Sequence, residues 1–80
     1  MSNTVITIKF FASLREDLGQ GEAEISEADA KTVLDAWNGA TNNMAMPENT
    51  LMAVNMDYVE GSHPVKAGDE VAFFPPVTGG

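Results

Sequence analysis

The chemistry this sequence offers is concentrated in its last six residues, Pro75-Pro76-Val77-Thr78-Gly79-Gly80. Proline fixes φ and removes a backbone donor, so Pro75 and Pro76 should end any sheet and send the chain out as a stiff, extended segment. From there Val77 to Gly80 reach on the order of 13 Å at the usual rise of an extended chain. Gly79 and Gly80 have no side chains, so they can enter a narrow channel and take backbone angles closed to other residues. A carboxylate on Gly80 presented this way suits activation as an acyl-adenylate, followed by attack of a nucleophile. A frayed end is the ordinary alternative. The proline stem ahead of the two glycines weighs against it.

No other residue type competes for the role. The chain has no cysteine, which excludes disulfides, thiolate metal sites, thiol nucleophiles and persulfides on this polypeptide. Its only histidine, His63, precedes a proline in a turn, and Ser13 has no base or glycine elbow nearby in sequence. Met44, Met46, Met52 and Met56 read as gap-fillers and loop residues, Trp37 as core, and Gly19-Gln20-Gly21 lacks the third glycine of a dinucleotide loop. No metal site can be assembled from this set. Twelve acidic residues face only Lys9, Arg15, Lys31 and Lys66, for a net charge of −8. Such a surface repels phosphate backbones and anionic lipid, so neither nucleic acid nor membrane is an expected partner. Four scattered cations also cannot hold a phosphorylated metabolite, so an anionic substrate would need a basic partner protein. Met1-Ser2-Asn3-Thr4 lacks a basic n-region before an apolar run, and no stretch approaches a membrane span, which points to a cytoplasmic chain.

The elements that would position the tail follow from periodicity. Val5 to Phe11 alternates, with Ile6, Ile8 and Phe10 on one face. Ser13 to Leu18 fits a helical turn, broken by Gly19-Gln20-Gly21 before a short strand over Glu22 to Ser26. Thr32 as N-cap and Asp35 three residues on form a capping box, and Val33, Ala36, Trp37 and Ala40 follow at helical spacing, giving one main helix from Val33 to Ala40. Asn42-Asn43 and Met46-Pro47-Glu48-Asn49 are loop chemistry. Leu51 to Val54 is a strand, Asn55-Met56-Asp57 a turn, Tyr58-Val59 a short strand, Lys66-Ala67-Gly68-Asp69 a tight turn, and Glu70 to Phe74 the last strand. At 80 residues only about 60% of the unfolded surface can be buried, enough for one helix on one sheet. The expected class is α+β, a β-grasp with a mixed four- to five-stranded sheet, its helix on one face and the other face open. Residues 1–74 would form the domain and 75–80 a flexible, extended tail.

Two aromatic doublets bear on the open face. Neighbouring strand residues point to opposite sides, so if Phe10 and Phe73 fill the core, Phe11 and Phe74 stand outside it. Tyr58 could join them in one apolar patch of the kind that marks interaction sites. Burial of all three by loops or sheet curvature is the structural alternative.

The chain resembles the small, sulfur-carrier subunits of molybdopterin synthase, ubiquitin-like proteins. The resemblance lies in Ile8-Lys9-Phe10-Phe11-Ala12 with Arg15-Glu16, in Ala53-Val54-Asn55, in His63-Pro64, and in the closing run from Gly68-Asp69-Glu70-Val71-Ala72-Phe73-Phe74 to Gly79-Gly80. The stretch from Ala40 to Thr50 is shorter and more polar than the family's. The resemblance implies that an ATP-using, E1-like activating enzyme adenylates the Gly80 carboxylate, which becomes a thiocarboxylate and passes sulfur to a pterin precursor to build the molybdopterin dithiolene. Gly79 would thread the channel, and Phe11, Tyr58 and Phe74, with Pro75, Pro76, Val77 and Thr78, would meet the partners. The partners implied are the activating enzyme and the large catalytic subunit, in a heterotetramer. This chain would be an enzyme subunit, not catalytic alone, with no bound cofactor. A carrier for another sulfur pathway, a protein modifier and a plain binding module are the rival readings.

Overall fold

Alternation of apolar and polar residues organises the sheet and the capping box organises the main helix, and both can be followed residue by residue. The structure is a computed structural model that describes residues 4–76. Its strands are β1 (Val5–Phe10), β2 (Glu22–Ser26), β3 (Leu51–Val54), β4 (Asp57–Val59) and β5 (Glu70–Phe74), and its helices are α1 (Ala12–Leu18) and α2 (Val33–Thr41). The sheet order is β2-β1-β5-β3-β4. The central pair, β1 with β5, is parallel, while the other three pairs are antiparallel. A parallel pair needs a crossover, and α2 lies on one face of the sheet within it. This is the mixed five-stranded sheet and single covering helix of an α+β, ubiquitin-like β-grasp.

Ile6, Ile8 and Phe10 are buried and alternate with half-buried Val5, Thr7 and Lys9, as their pattern predicts. From β5, Val71 and Phe73 join the same core, and α2 contributes Val33, Ala36 and Trp37. The Trp37 ring meets Phe73 edge-on at 5.0 Å and Phe10 at 5.8 Å between centroids, a geometry that aromatic quadrupoles favour. Its indole N–H donates to the Met44 carbonyl at 2.6 Å, so the buried polar atom is paired.

The capping box at α2 is complete. The Asp35 N–H donates to the Thr32 hydroxyl, and the Asp35 carboxylate accepts from the Thr32 and Lys31 N–H groups. Two further N–H groups at this end donate to the carbonyls of His63 and Gly61, at 3.0 Å each. His63 thus serves the fold through its backbone.

Boundaries differ from the sequence pattern in instructive places. β1 stops at Phe10, one residue short of the expected Phe11, because Ala12 takes φ 53° and turns the chain into α1. The expected turn at Ser13 to Leu18 is a seven-residue helix starting at Ala12. Leu14 and Leu18, one turn apart, pack against the core and support it, and Gly19 at φ 71° closes it with an N–H shared by the Arg15 and Glu16 carbonyls. α2 runs to Thr41 rather than Ala40, since the Thr41 hydroxyl donates back to the Trp37 carbonyl at 2.8 Å. Asn42 at φ 59° then ends it. A single 3-10 turn at Glu27–Asp29 was not expected from the sequence. Among the described residues no helix is long and apolar enough to cross a membrane.

Candidate functional site

The register of the sheet fixes what stands on its open side. Phe10 pairs with Phe73 across the parallel β1–β5 ladder, with both rings in the core, so the next residue on each strand turns outward. The Phe11 N–H donates to the Phe73 carbonyl at 3.2 Å, extending the pairing by one residue past the end of β1. The Phe11 and Phe74 rings then stack, 4.7 Å apart and 10° from parallel. Ala53 lies between Ala72 on one neighbouring strand and Tyr58 on the other. Two alanines leave a low floor, and the Tyr58 ring approaches Phe74 over it at 6.3 Å.

These side chains form a hollow of about 200 Å³ lined by Phe11, Met56, Tyr58 and Phe74, with Ala53, Ala72 and Glu70. Five large hydrophobic residues among those described are exposed, and three of them, Phe11, Met56 and Tyr58, line this one hollow. Tyr58 is 72% exposed and Phe11 40%, so loops and curvature do not bury the patch. Of the residues expected at an interface, Phe11, Tyr58 and Phe74 are brought together. Pro75, half-buried, and exposed Pro76 follow directly from β5. Val77, Thr78, Gly79 and Gly80 lie outside the described residues.

Away from the aromatic patch the same face is acidic. Glu22 lies opposite Lys9, Glu24 opposite Thr7, and Glu70 beside Thr7 on the other flank. Lys9 reaches Glu70 at 3.5 Å. Both side chains are well exposed, so the pair adds little to stability.

Met56 is the member that sequence reasoning missed, having read it with the other methionines as a loop residue. Met46 and Met52 do pack against the core. Met56 instead occupies the second position of the two-residue β3–β4 turn, next to Tyr58. The usable signal was the turn itself, where Asn55 is followed by a long apolar residue rather than glycine.

A second hollow, of about 330 Å³, is bordered by Asn55, His63, Lys66 and Asp69 among others. Its Asn55 and Asp69 side chains are paired with one another and with the backbone. The Asp69 carboxylate accepts from the Asn55 amide at 3.0 Å and the Lys66 backbone N–H at 2.9 Å, while the Asn55 amide oxygen accepts from the Glu70 N–H at 3.0 Å. This clamp ties the β3–β4 turn to the start of β5.

With that geometry in place, comparison with known proteins is specific. The ThiS family model matches residues 8–80. The chain is 40% identical over 87 residues to the molybdopterin synthase sulfur carrier subunit of Escherichia coli strain K12, covering 95% of this chain and 100% of that protein. It is 37% identical over 81 residues to the Haemophilus influenzae protein of the same description, with the same coverage. Among solved structures, small archaeal modifier protein 1 of Haloferax volcanii aligns with a TM-score of 0.76 at 26% identity, covering 92% of this chain and 99% of that one.

Proposed function

Because the chain belongs to the ThiS family, we propose that it works as the sulfur-carrying small subunit of a molybdopterin synthase, with Gly80 as the residue on which sulfur travels. The observation that carries this reading is its end-to-end likeness to sulfur carrier subunits, in a family match that runs to residue 80. A free carboxylate reacts poorly with nucleophiles because oxide is a poor leaving group. In the proposed sequence a carboxylate oxygen of Gly80 attacks the α-phosphorus of ATP on an activating enzyme and pyrophosphate departs. Hydrosulfide released by a sulfur donor then attacks the acyl carbon, AMP departs and the S–H proton is lost, leaving the thiocarboxylate. In the synthase the thiocarboxylate sulfur attacks a carbon of a pterin precursor and an oxygen leaving group departs from that carbon, after which water cleaves the bond between sulfur and the acyl carbon and restores the carboxylate.

The rest of the molecule supports such a role. A chain without cysteine keeps its sulfur on the terminal carbonyl. A surface of net charge −8 leaves recognition of an anionic pterin to the large subunit. The Phe11, Tyr58 and Phe74 patch, at the foot of the tail, is the surface on which the large subunit and the activating enzyme dock in turn.

The test is the intact mass of the protein after incubation with ATP, a cognate activating enzyme and a sulfur donor. A gain of about 16 Da on the C-terminal peptide, oxygen replaced by sulfur, is expected. No change with a demonstrably active enzyme would overturn the carrier role. The likeness to an archaeal modifier protein favours one second reading, attachment of Gly80 to lysines of other proteins. Loss of free chain into higher-mass conjugates in cell extract would support it.

A further inference from the structure

Six non-glycine residues among those described have positive φ: Ala12, Asn42, Asn43, Asn49, Asn55 and Met56. Four are asparagines, whose short amide side chain tolerates the left-handed region. The other two, Ala12 at φ 53° and Met56 at φ 75°, both adjoin the aromatic hollow. Ala12 directly follows Phe11, and Met56 lines the hollow itself. Backbone strain of this kind gathers where a surface is held for use.

Met56 is unusual on two counts. It fills the position of a two-residue hairpin turn that glycine fills with least strain. It is also 90% exposed, the most exposed of the large hydrophobics described. Packing in the isolated chain explains neither. The turn around it is nevertheless firmly held, because the Asn55 N–H donates to the Glu70 carbonyl at 2.8 Å and the Asn55 amide is clamped to Asp69.

We propose that Met56 is a docking residue of the open face, held upright beside Tyr58 by a strained, clamped turn so that its thioether enters an apolar pocket of the partner protein. The occupant is a protein whose pocket has a basic rim. Lys9 is the one cation on the five strands, and it is outnumbered on this face by Glu22, Glu24 and Glu70. Methionine suits a surface that meets more than one partner, since its flexible thioether adapts to different pockets. This inference rests on the open face being where the synthase subunit docks, and it adds a residue and a partner chemistry to that reading.

The experiment is calorimetric titration of the cognate large molybdopterin synthase subunit with the full chain, unaltered or carrying Met56→Gly, Met56→Gln, Met56→Leu or Phe74→Ala. Thermal unfolding of each isolated chain is the control. Met56→Gly should leave the unfolding midpoint unchanged or raised, yet weaken binding roughly five- to twentyfold. Met56→Gln should weaken binding similarly without relieving the turn, and Met56→Leu should bind within about twofold of the unaltered chain. Unaltered affinity of the glycine and glutamine variants, with Phe74→Ala weakened, would overturn the role of Met56 and leave the docking face standing. Equal binding by all five chains would remove the docking face and this proposal with it, whereas the sulfur chemistry is decided separately by the mass gain.

Discussion

Phe73 and Phe74 are adjacent and of one type, yet the structure assigns them to opposite tasks, which makes their replacement by alanine a sharp comparison. Phe73 is fully buried, 5.0 Å from Trp37 and 5.8 Å from Phe10 between ring centroids. Truncating such a residue costs about 3–5 kcal/mol in lost transfer energy and cavity. An 80-residue domain has roughly 4–12 kcal/mol in all, so Phe73→Ala should be mostly unfolded or close to it. Phe74 is half-buried and its main partner is the Phe11 ring, stacked at 4.7 Å. Such a pair contributes ~1 kcal/mol beyond the area it buries, and with the partial burial of its ring Phe74→Ala should lose about 1–2 kcal/mol, well short of Phe73→Ala. Urea titration followed by fluorescence of Trp37, the only tryptophan, reads both because its ring touches Phe73. Calorimetry with the large subunit should find Phe74→Ala weakened by about 2 kcal/mol, or thirtyfold, as expected for a central aromatic anchor. Equal destabilisation by the two variants would place Phe74 in the core. Undiminished affinity would refute the open-face reasoning.

Three other outcomes follow from named contacts. The Lys31 backbone N–H, reinforced by Thr32 against the opposing effect of desolvation, holds the Asp35 carboxyl below its ordinary 3.8. A lowered value in the folded state means that the stabilisation is complete above 3.8 and is lost as pH falls through the lowered value. Asp35→Asn should therefore lower the urea midpoint at pH 7 and converge on the unaltered chain in acid, whereas a pH-independent difference would contradict the capping assignment. Asn55→Gly keeps the turn conformation and the backbone bond to the Glu70 carbonyl but removes the side-chain bonds to Asp69 and to the Glu70 N–H, which leaves a largely buried carboxylate short of a donor. It should cost about 1–3 kcal/mol in urea unfolding, and an unchanged midpoint would mean that water replaces the clamp. Deleting Gly80, or adding a residue after it, should abolish sulfur transfer in a reconstituted synthase assay while Trp37 fluorescence and large-subunit binding persist. Loss of binding as well would show that the tail anchors the complex.

Much of this was legible in the sequence because the periodic signals were strong and local. Ile6, Ile8 and Phe10 alternate, and Thr32 with Asp35 marks the start of α2. The Phe10-Phe11 and Phe73-Phe74 doublets place one ring on each side once the strands are in register. What escaped was set by tertiary contacts or by backbone conformation. Alternation alone carries β1 through Phe11, and only the left-handed Ala12 shows that the chain has already turned. Two turns of α1 rest on Leu14 and Leu18 reaching the core, which no short window reveals. Met56 was hidden among five methionines because composition says nothing about which of them sits in a strained hairpin.

The placement of the patch at the foot of the tail has a physical consequence for the proposed chemistry. Phe74 closes β5 and Pro75 follows, so a partner that grips the stacked Phe11 and Phe74 rings also fixes where the tail begins. Six residues from Pro75 to Gly80 span at most about 20 Å. Confining one carboxylate within that radius of its origin corresponds to a local concentration on the order of 50 mM, before any channel narrows the search further. Proline at the first two positions reduces the conformations left to lose when the tail enters. On the proposed chemistry the domain passes the same end between an activating enzyme and a synthase, and it gains from using one surface for both. Docking then supplies the orientation that a free peptide would have to find by collision.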